Sequence, residues 1–252
     1  MSIPGMPEER AKSPQRVAVF QRRPLFDDIS GTTLRFIEDL TWCEAQGVHL
    51  AVFPECYLQG YTTERQAIAR RALGTDSPPF KAFIAACAGF SCDAIVGFIE
   101  QRCHGFYNTA AVIRDGALAG VYAKNHPNEQ AFLPGQESPV FSKKAIFYGI
   151  NICFDANFPA SAKRLSDAGA RLICYPLNNM LAPATADRWR ARSIENLQDR
   201  ARETGCWVAS SDVVGRHGEK RSHGCTCIVN PEGVVVGRVE EGIEGVVVHH
   251  IE

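Results

Sequence analysis

The amino-acid sequence predicts an α/β fold, in which helices cover the outer faces of the sheets. Short apolar runs rich in β-branched and aromatic residues recur along the chain, and amphipathic segments with a helical period lie between several of them. This alternation is typical of strands that are buried under helices. The chain has 252 residues, of which 45% are hydrophobic, and this allows one large domain with a sizeable core.

Nine runs are predicted to be strands. In chain order they are RVAVFQ, HLAVFPE, AIVGFIE, TAAVI, AIFYGINIC, RLICYP, CWVASSDVV, CTCIVN and GVVVHHI. One predicted helix lies in TTLRFIEDLTWCEAQG, where Phe36, Leu40 and Cys43 fall on one face and Gly47 ends the pattern. Another begins at Pro159, since proline suits the first helical turn, and runs toward the glycine at position 169.

Two segments of the chain are similar to each other. WCEAQGVHLAVFPE and LSDAGARLICYPLN both read as helix, glycine, buried strand and proline. Two related halves would suit two sheets that pack face to face, although helix–glycine–strand is a common unit of any α/β protein. We predict a single domain over residues 1–252, with residues 1–15 as a loose polar arm. GRHGEKRSHG, residues 215–224, is predicted to be an exposed loop.

The composition argues against several classes of protein. The formal net charge is -1 and no lysine or arginine run occurs, so we expect no nucleic-acid partner. No apolar run approaches the roughly 20 residues of a membrane span, and the first residues lack the apolar centre of a secretory signal. We therefore expect a cytoplasmic protein with no membrane partner and with reduced, mostly buried cysteines. Cys225 and Cys227 lack the CxxC spacing of a zinc site, and we predict no bound metal.

Two charged residues stand where strand patterns end. In HLAVFPECYLQGY, Glu55 comes just after a strand that ends at Pro54. In GVYAKNHPNEQAFLPG, Lys124 ends a short strand pattern and Glu129 follows five residues later. Strand ends in α/β proteins are where functional side chains reach a crevice. Taken singly, however, each of these residues is equally well explained as a solvated charge.

A cysteine stands at a similar place. Cys153 lies in NICFDANFP, between a strand pattern and the helix that begins near Pro159. A thiol at such a passage is close to backbone amides and to the positive end of a helix, which favour the thiolate and supply donors for an anion. A plain core cysteine is the usual alternative, but it fits poorly because the polar residues Asp155 and Asn157 follow at once.

The three stretches together resemble a known family. AVFPE, YAKNH and GINICFDANFP stand where the nitrilase, or carbon–nitrogen hydrolase, superfamily carries its Glu–Lys–Cys triad. YNTAAVI, RARETGCWVASSDVVG and GCTCIVNPEG are further similarities, and the resemblance extends from about Arg16 to Glu252. It implies a four-layer α-β-β-α sandwich of two mixed six-stranded sheets, and a homodimer or a larger homo-oligomer.

The resemblance also implies roles for the site residues. Cys153 would be the nucleophile and Glu55 the general base and acid. Lys124, with the backbone amide of Phe154, would stabilise the oxyanion. Glu129 resembles a second glutamate of the family that positions the substrate and the lysine, although its offset from the LPG glycine is slightly short. We predict that Tyr61 and Asn178 also contribute to substrate or oxyanion binding, and that no cofactor is required.

Residues after the nucleophile narrow the expected reaction. Phe154-Asp155 stands where true nitrilases carry Trp-Glu, which favours an amidase- or carbamoylase-like branch. Asn157 and Ala160 replace the arginine and glutamate of the common pattern CYDxRFPE. Since arginines near this point often bind a substrate carboxylate in the family, a neutral or apolar amide is favoured. Three arginines could reach the site instead, namely Arg171, Arg188 and Arg192.

We therefore predict an enzyme that hydrolyses a small carboxamide, or an N-carbamoyl compound, to an acid and ammonia through a thioester on Cys153. Hydrolysis of a nitrile and a non-catalytic binding or scaffold role are the alternatives. Acyl transfer to another acceptor stays open within the family. A thiol redox function is disfavoured because the sequence has no CxxC pair.

Overall fold

A computed structural model of the protein describes residues 14–251. Residues 1–13 of the predicted arm lie outside the described residues, and Gln15 already belongs to the first strand. The strands are β1 (Gln15–Gln21), β2 (Leu50–Val52), β3 (Asp93–Arg102), β4 (Gly105–Arg114), β5 (Ala117–Ala123), β6 (Val140–Lys143), β7 (Ile146–Ile150), β8 (Leu172–Pro176), β9 (Trp207–Ser211), β10 (Gly215–His217), β11 (Lys220–Ser222), β12 (Cys227–Val229), β13 (Val235–Arg238) and β14 (Gly245–Ile251). The helices are α1 (Ile29–Ala45), α2 (Arg65–Arg71), α3 (Pro78–Ala86), α4 (Pro159–Asp167) and α5 (Pro183–Thr204), with a 3-10 helix over Cys153–Asn157.

Twelve of the strands form two mixed six-stranded sheets. The first sheet has the order β14-β1-β2-β3-β4-β5 and the second has the order β13-β12-β9-β8-β7-β6. In each sheet three neighbouring strands are parallel, β1-β2-β3 in the first and β7-β8-β9 in the second. The remaining strands of both sheets pair antiparallel. The helix–strand units that look alike in the sequence thus occupy corresponding places in the two sheets.

Alternating side chains on the strands divide the core into layers. In β1, Val17 and Val19 pack into the cluster between the two sheets, whereas Ala18 and Phe20 face the helices. A strand points successive side chains to opposite faces, so a continuously apolar strand serves two apolar layers. Helices α1 and α3 cover the first sheet, and α4 and α5 cover the second. The layers are therefore helix, sheet, sheet and helix, as predicted.

A buried ionic cluster links the two sheets. Asp93, at the start of β3, accepts hydrogen bonds from Arg114 of β4 at 2.6 and 2.9 Å and from the Tyr148 hydroxyl of β7 at 2.8 Å. Lys143 of β6 lies 3.0 Å from the same carboxylate. Burial acts to raise the pKa of Asp93, but the bonds from these three residues outweigh it and hold the pKa below its usual value. The cluster fixes one sheet against the other.

The helices follow the sequence patterns. Phe36, Leu40 and Cys43 of α1 are buried, and Gly47 adopts a positive φ of 62° just past the helix end. Pro159 begins α4 as expected. The segment 215–224 differs from its prediction as a loop, because β10 and β11 pair within it as a two-stranded antiparallel hairpin. No helix within residues 14–251 is long and apolar enough to cross a membrane.

Candidate active site

Glu55 sits where the chain leaves β2 and crosses over β3. Its backbone amide donates to the Leu177 carbonyl at 3.1 Å, which ties the segment to the end of β8. Gly97 of β3 lies directly beneath, and a Cβ atom added there would be 2.5 Å from the Pro54 oxygen and 2.7 Å from the Glu55 Cα atom. The crossing therefore requires a glycine at position 97, since a side chain would displace the Glu55 backbone.

The Glu55 carboxylate is almost completely buried and strongly hydrogen bonded. Its Oε1 atom accepts from Lys124 Nζ at 2.9 Å and from Asn108 Nδ2 at 2.6 Å. Burial raises the pKa of Glu55 above its ordinary value, although the Lys124 charge and the two hydrogen bonds oppose that shift. A carboxylate whose pKa is raised toward neutrality is suited to take up and release a proton.

Lys124 follows β5 and lies between two carboxylates. Its Nζ atom is 3.4 Å from Glu129 Oε1 in addition to its contact with Glu55, and the Tyr61 hydroxyl donates to the same Glu129 oxygen. Burial acts to lower the pKa of Lys124, but the charges of the surrounding groups, Glu55 first, outweigh it and raise the pKa. The ammonium therefore stays cationic in a site from which solvent is excluded.

Cys153 begins the 3-10 helix in a conformation that few residues other than glycine adopt. Its φ is +43°, in the left-handed region, and such strain is stored where the surroundings hold it in place. The buried Asp155 carboxylate provides that constraint. It accepts from the Ile152 amide at 2.9 Å, from the His126 amide at 2.8 Å and from the Tyr122 hydroxyl at 2.7 Å. The thiol is thus presented on a fixed turn between β7 and α4.

Cys153 is half-buried, and it lines the same cavity as the charged residues Glu55 and Lys124. Burial and the Glu55 charge raise the pKa of Cys153 well above its ordinary value. Lys124 and the backbone amide of Asn178 act in the opposite direction but are outweighed. The resting group is therefore a neutral thiol, and a nucleophilic thiolate has to be generated by a neighbouring base.

A single cavity of about 210 Å³ brings the predicted residues together. Its lining residues come from the segments that follow β2, β5, β7 and β8 and from α5. Every site residue predicted from the sequence lines it, namely Glu55, Tyr61, Lys124, Glu129, Cys153, Phe154 and Asn178. The volume is below the range of about 300–1,000 Å³ that drug-sized ligands occupy. The cavity is therefore suited to a small substrate.

Sequence reasoning missed some residues of this site. Asn108 contacts Glu55 directly, and its own backbone oxygen accepts from the Lys124 amide at 2.8 Å. Its signal in the sequence is a buried amide within the apolar run YNTAAVI. Helix α5 contributes further lining residues, among them Thr185, Trp189 and Ser193. Only the packing of α5 against the second sheet places these three on the cavity.

Comparisons with known proteins identify the family of the chain. A family model described as carbon-nitrogen hydrolase matches residues 16–252. The chain is 30% identical over 227 residues to a Pseudomonas protegens protein described as "hydrolase in pqqF 5'region", which covers 86% of this chain and 76% of that protein. It is 34% identical over 158 residues to deaminated glutathione amidase of Homo sapiens, covering 56% of this chain but only 44% of the relative.

The fold is shared with solved structures of the same class. An amidase from Nesterenkonia sp. superposes with a TM-score of 0.83 at 22% identity, over 95% of this chain and 91% of that chain. The two-sheet architecture of this chain is thus a fold that other solved α/β proteins share. Because the family model matches nearly the whole chain, the protein belongs to the carbon–nitrogen hydrolase family.

Proposed function

We propose that the protein hydrolyses a small carboxamide to an acid and ammonia, or an N-carbamoyl compound to an amine, carbon dioxide and ammonia, with Cys153 as the nucleophile. The observation that carries this proposal is the buried Glu55–Lys124 pair, whose Oε1 and Nζ atoms are 2.9 Å apart on the cavity that Cys153 also lines. A base, a fixed cation and a thiol on one small cavity are the groups that amide cleavage through a thioester needs.

In the first half-reaction Glu55 takes the proton of the Cys153 thiol while the sulfur attacks the carbonyl carbon. The tetrahedral oxyanion is stabilised by the Lys124 ammonium and by the Phe154 backbone amide. Glu55 then returns its proton to the amide nitrogen, the carbon–nitrogen bond breaks, and ammonia leaves. The product of this step is a thioester between the acyl group and Cys153.

In the second half-reaction Glu55 removes a proton from water, which attacks the thioester carbonyl. The same oxyanion donors stabilise the second tetrahedral intermediate. The carbon–sulfur bond breaks, the sulfur regains a proton from Glu55, and the free acid leaves. Glu55 begins and ends each half-reaction ionised, which its hydrogen bonds from Lys124 and Asn108 favour.

An uncharged acyl group is the favoured substrate. No arginine of the described part of the chain lines the cavity, and the three arginines that could have bound a carboxylate, Arg171, Arg188 and Arg192, are exposed. Lys124 is already engaged by two carboxylates. A carboxylate on the substrate would therefore lack a counter-charge, which disfavours dicarboxylate monoamides and N-carbamoyl amino acids.

Incubation with a panel of amides, followed by intact-protein mass measurement, tests the proposal. We expect turnover of short neutral amides, and an added mass equal to the acyl group less one hydrogen on a peptide that contains Cys153. Cys153→Ala should lose both signals, whereas Cys103→Ala, at the exposed cysteine, should keep both. Retained turnover in Cys153→Ala, or an adduct on a different cysteine alone, would contradict the mechanism.

A nitrile substrate and a non-catalytic role are distinguished by the same panel. A nitrilase would release ammonia from nitriles and leave amides of the same acyl group unchanged. A binding or scaffold protein would turn over neither series, and Cys153 would react with iodoacetamide no faster than the other cysteines.

A further inference from the structure

We propose that one face of α5 forms a specificity surface for an uncharged acyl group that carries a hydroxyl or an amide some carbons away from the scissile carbonyl. The surface consists of Thr185, Trp189, Ser193 and Asn196, and is called the α5 face below. This proposal rests on the amide hydrolysis proposed above and names the substrate class of the same site.

The four residues belong to one side of the helix. Positions 185, 189, 193 and 196 are spaced by four, four and three, which places their side chains one above another along α5 (Pro183–Thr204). All four line the cavity that Cys153 also lines. Other positions of α5 carry exposed charged side chains, such as the Arg202–Asp199 ion pair, and its buried positions include Leu197 and Ala201. The four residues of the α5 face are themselves uncharged.

Within residues 14–251, four polar groups of the α5 face make no hydrogen bond, namely the Thr185 and Ser193 hydroxyls, the Trp189 indole N–H and the Asn196 Oδ1 atom. Other helical hydroxyls bond back to a carbonyl one turn earlier, as Thr33 does to Ile29 at 2.7 Å and Thr204 to Arg200 at 2.6 Å. The cavity-facing groups of α5 therefore remain available to a ligand.

Asn196 also connects the α5 face to the turn that carries the nucleophile. Its Nδ2 atom donates to Asn157 Oδ1 at 3.0 Å, and Asn157 Nδ2 donates to the Phe154 carbonyl at 3.1 Å. This chain of hydrogen bonds fixes the α5 face relative to the residue next to Cys153. Asn157 occupies the place where the common family pattern has an arginine. The hydrogen-bonded side-chain amides of Asn196 and Asn157 thus stand on the cavity lining in place of a cation.

The chemistry of the α5 face selects the ligand. Hydroxyls both donate and accept, whereas the Asn196 oxygen only accepts, so a matching ligand supplies at least one donor. Trp189 adds a flat apolar surface for the intervening carbons, and the guanidinium of Arg192 lies 5.6 Å from its ring centroid. Arg192 does not line the cavity, so a carboxylate would find no cation among the four residues of the face, and an alkyl chain would leave their polar groups without partners.

The test compares amides of matched chain length that end in a methyl, a hydroxyl, an acetamido or a carboxylate group. We expect the hydroxyl or acetamido amide to exceed the alkyl amide by about 5- to 10-fold in kcat/KM, and the carboxylate to be the poorest. Ser193→Ala and Asn196→Leu should each lower kcat/KM for the hydroxyl or acetamido amide more than for the alkyl amide, and so reduce this ratio toward one. Ser166→Ala, at a half-buried position of α4 that does not line the cavity, is the matched control and should leave the ratio as it is.

The outcomes separate this inference from the proposed function. Equal or better turnover of the alkyl amide, or variants that slow all amides by the same factor, would overturn the role of the α5 face while amide hydrolysis stands. If no amide in the series were turned over by the unaltered protein, both proposals would fail. Ser193→Ala replaces a serine by a better helix former, so it is expected to stay folded.

Discussion

Asn108→Leu is expected to move the acid limb of the pH–rate profile to higher pH. Asn108 donates to Glu55 Oε1 at 2.6 Å, and both side chains are buried. Leucine has a similar size but no donor, so the substitution withdraws one hydrogen bond from the carboxylate and leaves the Lys124 contact in place. The active form of Glu55 is the carboxylate, and protonation on the acid side removes it.

The magnitude follows from the bond that is lost. A hydrogen bond to a charged group contributes about 1.5–3 kcal/mol, and one pKa unit corresponds to about 1.4 kcal/mol. The pKa of Glu55, already raised by burial, should therefore rise further. At pH values on the acid limb of the profile, kcat/KM of the variant should be about 10- to 100-fold lower than that of the unaltered protein. The loss should be smaller on the pH-independent plateau.

The assay is kcat/KM for a short neutral amide between pH 4 and pH 9. Thr109→Val is the matched control, because Thr109 neighbours Asn108 on β4 and its hydroxyl donates to Glu100 at 2.7 Å instead of to Glu55. This control should lower thermal stability without moving the limb. An acid limb that stays in place in Asn108→Leu would refute the assignment of Glu55 as the titrating base.

Three further predictions concern the site and its support. Lys124→Ala should lower kcat by at least about 10²- to 10³-fold with unchanged circular dichroism, and near-normal turnover would show that the cation has another role. Gly97→Ala should reduce turnover by about 10-fold or more, since the added Cβ atom would lie 2.7 Å from the Glu55 Cα atom. Unchanged kinetics would mean that the backbone at Glu55 can shift without an effect on the reaction. Asp93→Asn should lower the free energy of unfolding, measured by urea denaturation at pH 7, by about 3 kcal/mol. Because the Asp93 pKa is lowered in the folded state, this cost should shrink below about pH 4, and a cost that does not change with pH would contradict the ionic role of Asp93.

Much of the fold was predictable because local patterns encode it. The continuous apolar run of β1, the apolar face of α1 and the proline at the start of α4 each depend on residues close together in the chain. The hairpin at 215–224 was missed because its polar residues pair with each other and not with a core. The catalytic roles, a cytoplasmic location and assembly into a homo-oligomer stay predictions.

The sequence by itself determined which residues could do chemistry here: a glutamate and a lysine at strand ends and a cysteine before a helix, in an order that resembles one family. Only the tertiary structure decided what surrounds them. Asn108 contacts Glu55 although the two residues are 53 positions apart in the chain. Uncharged residues of α5 line the cavity because the helix packs on the second sheet. Such contacts form only when distant segments of the chain fold against each other. The sequence pattern identifies the residues but not which of them come into contact.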